Sequence, residues 1–147
     1  MSPSRAFLFL IIINAASYVN AADLSVRLDA VVLPSGKVLH LELYRVLSPE
    51  RKWDQQENIR RFKVSSPLPA AYIIGGVEPG QYALRGFVDE DGDGSLALYD
   101  NGRPSEPFGY SHSVARSKAS LFFRHAIFDV DEGGGHIVFS IMGQEAP

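Results

Sequence analysis

Leu24, Val26, Leu28 and Ala30 alternate with Ser25, Arg27 and Asp29. That two-residue period belongs to a strand with one face in water. Pro34-Ser35-Gly36 interrupts it, and Leu39, Leu41 and Leu43 then alternate with His40, Glu42 and Tyr44. Two such runs across a short break predict a hairpin. Residues 48 to 58 are polar and predict a loop that contains Trp53, either irregular or with a helical turn. Short strands are expected over Arg60 to Val64 and from Ala70 to Ile74, with Val77 just beyond. Glu78-Pro79-Gly80 is a turn signal, since Pro presets φ and Gly accepts positive φ. Tyr82, Leu84, Gly86 and Val88 alternate with Ala83, Arg85 and Phe87. Phe122 to Val130 is the next candidate strand, Gly133-Gly134-Gly135 a turn, and Ile137, Phe139 and Ile141 a last strand. About seven strands at short spacing, with no sustained helical period, predict an all-β protein. The expected fold is a single β-sandwich, immunoglobulin-like or transthyretin-like.

The start of the chain reads differently. Arg5 precedes an apolar run from Ala6 to Ala16, and Val19-Asn20-Ala21 places small residues before a cut. Residues 1–21 are therefore expected to be a secretory signal peptide, leaving a domain of residues 22–147. The alternative, a retained anchor, would need about 20 apolar residues. The expected location is the periplasm or the exterior, with no membrane span after cleavage. The chain has no cysteine, which excludes thiol nucleophiles and zinc-thiolate sites and leaves an exported domain without disulfides. With Arg5 removed, 13 basic residues face 17 acidic ones, a net charge of −4. That balance argues against nucleic acid as a partner.

The chemistry-bearing stretch is Asp89-Glu90-Asp91-Gly92-Asp93-Gly94, followed by Asp100. The pattern D-x-D-x-D-G-x5-D matches a calcium loop that ends in Asp instead of Glu. Asp89, Asp91 and Asp93 would offer carboxylates, Ser95 its backbone carbonyl, and Asp100 the closing ligand. Ala97 lacks an oxygen and would leave its position to water, while Leu96 would point into the core. Such a site is expected to bind calcium at about 10⁻⁴–10⁻³ M. The competing reading is that Asp91-Gly92 and Asp93-Gly94 simply form tight turns. Residues 92 to 120 carry no strand period yet hold Leu96, Leu98, Tyr99, Phe108 and Tyr110, which predicts an ordered loop. Glu106 would bond backbone amides or join the cation. Tyr99, Glu106, Phe108 and Tyr110 form a candidate ligand groove, since loop aromatics stack on sugars and other flat ligands.

The run Pro79-Gly80-Gln81-Tyr82-Ala83-Leu84, then Asp89 to Gly94, then Gly102, Pro104, Glu106 and Gly109-Tyr110-Ser111, resembles the bacterial exported family known as domain of unknown function 2141. The resemblance implies an exported β-sandwich akin to transthyretin-like and carboxypeptidase-regulatory-like domains. It implies no activity. Asp91 and Asp93 stand where that family often has Asn, which makes this loop more acidic, and Arg103 stands where an apolar residue is usual.

An enzyme is not expected. His40 and His136 fall in strand patterns as solvent-face residues, Ser111-His112 are merely neighbours, and no G-x-S-x-G elbow is present. The preferred reading is a non-enzymatic exported sandwich with a calcium loop at one end. The alternative is a carbohydrate- or peptide-binding module that uses the aromatics near the loop. An envelope protein pairing with an edge strand is a third class of partner.

Overall fold

In the computed structural model, which describes residues 20–112 and 122–142, alternation sets the first strand. Leu24 and Val26 are fully buried on β1 (Ala22–Leu28), while Asp23 and Arg27 face water. Seven further strands follow: β2 (Val38–Arg45), β3 (Glu57–Ser65), β4 (Ala71–Val77), β5 (Gly80–Asp89), β6 (Phe108–Tyr110), β7 (Ile127–Val130) and β8 (Gly135–Phe139). Two short 3-10 turns, Trp53–Gln55 and Phe123–Ala126, are the only helical elements among the described residues. None is long and apolar enough to cross a membrane.

The strands form two sheets. One has the order β4-β1-β8, with β1 antiparallel to β4 and parallel to β8. The other has the order β3-β2-β5-β6, and β7 also pairs with β5. β6 pairs with β5 at Arg85–Phe87 and β7 at Gly80–Ala83, so the two lie end to end along one edge of β5. Leu24, Val26, Ile74, Ile137 and Phe139 of the smaller sheet meet Leu39, Leu41, Leu43, Leu84 and Val88 of the larger one in a single core. This is the all-β sandwich that the spacing predicts.

The expected hairpin between the first two strands is not formed. β1 pairs with β4 and β8, whereas β2 pairs with β3 and β5. The end of β1 is tied into its own sheet, the Leu28 amide donating to Ala70 O at 3.1 Å and the Asp29 amide to Phe139 O at 2.9 Å. Ala30 then turns the chain at a φ of 51°, and the connection crosses to the other sheet. The start of the strand expected over 122–130 is a 3-10 turn instead, and β6 lies within the stretch that shows no strand period. The signal-peptide reading falls almost wholly outside the described residues.

β2 and β5 are buried on both faces. His40, Glu42 and Tyr44 lie opposite Phe87, Arg85 and Ala83, on the face turned away from the sandwich core. Alternation alone assigns that face to water, yet His40 and Glu42 are only 2% and 1% exposed. The loops around Trp53 and from Glu90 to Pro107 fold over this outer face. His40 is therefore not the solvent-face residue expected, whereas His136 on β8 is exposed.

Candidate functional site: an acidic loop beside an aromatic cleft

β5 carries Arg85, Phe87 and Asp89 on the outer face, and the acidic loop begins where the strand ends. Asp89 is nearly buried, and its carboxylate organises the loop behind it. Its Oδ1 accepts the Gly92 amide at 2.7 Å, and its Oδ2 accepts the Gly94 amide at 3.0 Å and His40 Nε2 at 3.1 Å. Gly92 and Gly94 take φ of 82° and 77°, the left-handed conformation that brings those amides inward. Burial raises the Asp89 pKa, but the amides of Gly92 and Gly94 and the His40 contact outweigh it and hold it below its ordinary value. Asp91 Oδ1 accepts the Asp93 amide at 3.0 Å, and Asp93 Oδ1 accepts the Ser95 amide at 2.7 Å. Both are side-chain-to-backbone bonds to the amide two residues on, and no backbone turn bond closes across Asp91-Gly92 or Asp93-Gly94.

The chain then runs out and back. Leu98 bridges Pro104, Ser105 N–H donates to Ala97 O, and Gly102 N–H closes the tip onto Tyr99 O. The return delivers Glu106 to the loop, where it is 6% exposed. Its two carboxylate oxygens accept the Glu90 amide at 2.7 Å and the Ala97 amide at 2.9 Å. The expected bonding of Glu106 to backbone amides is thus present.

Ligand oxygens of Asp89, Asp91 and Glu106 lie within 4.8 Å of one another. Two oxygens bound to one calcium at about 2.4 Å can be no further apart than about 4.8 Å. Each carboxylate oxygen has two lone pairs, so those that accept one amide keep one for a cation. The donor set, three carboxylates, suits a hard divalent ion. Two residues of the predicted ligand set, Asp89 and Asp91, are in this group. Asp93 and Asp100 are not, and Asp100 sits in the exposed turn at the hairpin tip. Ser95 is exposed and donates its amide to Asp93. Glu106, and not Asp100, is the third carboxylate of this group.

Beside the loop, the same face opens into a cleft of about 790 Å³. Arg85, Phe108 and Tyr110 contribute from β5 and β6, Trp53 from the β2–β3 connection, Leu96 and Leu98 from the hairpin, and Phe123 from the second 3-10 turn. Leu96 thus faces this cleft, half-buried, and is not part of the sandwich core. Of the predicted groove, Phe108 and Tyr110 line the cleft. Tyr99 stays 60% exposed outside it, and Glu106 is committed to the loop.

The cleft rests on an ionic cluster, centred on the buried Glu42, that the sequence pattern did not single out. Glu42 Oε2 accepts Arg85 Nε at 2.9 Å, Arg85 Nη2 and the Tyr44 hydroxyl at 2.8 Å, while Oε1 meets Arg61 Nη2 at 2.6 Å. Burial pushes the Glu42 pKa up, yet the charges and hydrogen bonds of the arginines and Tyr44 bring it below its usual 4.5. Burial pushes the Tyr44 pKa up to about 12. Arg85 also lies over the rings of Tyr44 and Trp53, 5.4 and 5.7 Å from their centroids. Trp53 in turn packs edge-on against Tyr44 and Phe123. Strand register held the only signal for this cluster, a Glu42 directly opposite Arg85 and Arg61.

A family model described as an uncharacterized protein conserved in bacteria, DUF2141, matches residues 35–137. The chain belongs to this family. The DUF2141 segment runs from β2 into the middle of β8 and leaves out β1, and it includes both the acidic loop and the described lining of the cleft. No curated protein and no solved structure matches the chain. Membership in DUF2141 carries no named activity.

Proposed function

We propose that this protein is an exported, non-enzymatic β-sandwich whose acidic loop captures a divalent cation of the calcium class at Asp89, Asp91 and Glu106. The convergence of these three carboxylates within 4.8 Å carries the reading. Captured there, the ion would relieve repulsion among anionic groups that amide bonds alone offset only in part. It would lock the loop and its hairpin, which form one wall of the cleft. Export rests on the signal-like segment 1–21.

The absence of catalysis is inferred from how the tempting groups are used. His40 and Asp89 resemble a base and its orienting acid, but His40 is buried and stacked on Phe87 with ring centroids 4.9 Å apart. Ser111 is fully buried, and its hydroxyl serves the backbone of Leu84 and Ala126.

Thermal unfolding with calcium against chelator tests the cation. At a free concentration of ten times Kd, binding to the folded state alone adds about 1.4 kcal/mol. Asp91→Asn keeps an acceptor for the Asp93 amide but removes a charge, so it should abolish the calcium increment while leaving the chelated midpoint in place. A wild-type midpoint indifferent to calcium would overturn the reading.

The cleft favours a second reading, a ligand-binding module. Its aromatic residues alone point to a glycan or a peptide.

A further inference from the structure

The lining of the cleft specifies its ligand more narrowly than its aromatic residues do. Among the described residues, Arg51, Lys52, Arg85 and Arg124 border it against Glu50 and Asp54, an excess of two positive charges on a chain whose net charge is −3. Behind Arg85, one carboxylate serves two guanidinium groups, Glu42 pairing with Arg85 and with Arg61, which lies outside the cleft. That leaves one positive charge of the cluster uncancelled. Arg85 lines the cleft and uses Nε and Nη2 on Glu42 and Tyr44, which leaves Nη1 without a partner among the described residues. The Glu42 contact and the Tyr44 and Trp53 rings hold the guanidinium in place, so little freedom is lost when it binds.

Among the described residues, the remaining lining is apolar or aromatic, with the Tyr110 hydroxyl and the Trp53 ring N–H as its polar side-chain groups. The volume is in the range that holds a small molecule.

We propose that the cleft binds a small organic anion, a carboxylate or sulfonate on a flat apolar body, with the acid group on Arg85 and the body between Trp53, Phe108 and the leucines of the hairpin. This rests on the reading of the cleft as a binding site and is independent of the cation.

Trp53 is the only tryptophan in the chain, so its emission reports on this cleft. The purified protein is titrated with anilinonaphthalene sulfonate and, separately, with phenylnaphthylamine, the same ring system without the acid. The sulfonate should quench Trp53 saturably and bind roughly ten- to a hundredfold more tightly than the neutral compound, the worth of a hydrogen bond to a charged group. Exchanging the buried pair together, Glu42→Gln with Arg85→Gln, should bring the two affinities together without leaving an unpaired buried charge. If that variant does not fold, Lys52→Gln with Arg124→Gln removes two exposed charges. It should weaken the sulfonate several-fold and leave the neutral compound unchanged. Equal affinities in the wild type would overturn the anion assignment while keeping the cleft as a binding site. Failure of both compounds to alter Trp53 emission would overturn both.

Discussion

Glu42 shows how much one residue can organise. A carboxylate so buried is tolerated only when its lone pairs are filled, and Arg85, Arg61 and Tyr44 fill them. Its pKa and that of Asp89 lie below their ordinary values of 4.5 and 3.8 in the folded protein. A carboxyl whose folded pKa is depressed stabilises the fold at pH above its unfolded value. That contribution is lost as pH falls through the folded value. Stability should therefore be level at neutral pH and decline progressively below about pH 4.5. Glu42→Gln should unfold more readily at pH 7 and show a shallower decline in acid, as followed by urea unfolding across pH. An acid limb identical to the wild type would mean that Glu42 is not among the groups that drive it.

At the scale of elements, β5 is the member on which both sites depend. It pairs with β2, β6 and β7, ends in Asp89, and presents Arg85 to the cleft. Gly86, at its centre, has no room for a side chain. A Cβ there would come within 2.6 Å of Phe139 Cζ, 2.8 Å of Leu41 Cδ2 and 2.9 Å of the His40 carbonyl oxygen. Because one of these neighbours is backbone, Gly86→Ala should push the sheets apart and lower the unfolding free energy by about 1–3 kcal/mol in urea titration. An unchanged transition would show that the sheets can spread freely. The central strands were legible in the sequence because Leu39, Leu41 and Leu43 keep their period of two. β6 was not, because three residues, Phe108-Gly109-Tyr110, are too few to show a period. The burial of His40, Glu42 and Tyr44 was hidden for another reason. Alternation reports which face turns to the core, but not whether a distant loop covers the other.

At the scale of the whole molecule, the sandwich brings together residues far apart in the chain. Asp89 and Asp91 could be read together because they are close in sequence. Glu106 enters only through a hairpin whose return depends on the Leu98–Pro104 bridge. The sequence raised it only as a possible partner and put Asp100 in the closing place. The cleft likewise draws on the Trp53 connection, the hairpin and the second 3-10 turn, three segments that no local motif joins. One face of the larger sheet thus carries both the loop and the pocket, and the hairpin between Ala97 and Ser105 serves both. The proposed cation would hold this loop at three carboxylates. A crystal structure of the protein grown in millimolar calcium tests it most directly. An ion is expected about 2.3–2.6 Å from oxygens of Asp89, Asp91 and Glu106. Water alone between these carboxylates, or an ion held instead by Asp93 and Asp100, would contradict it.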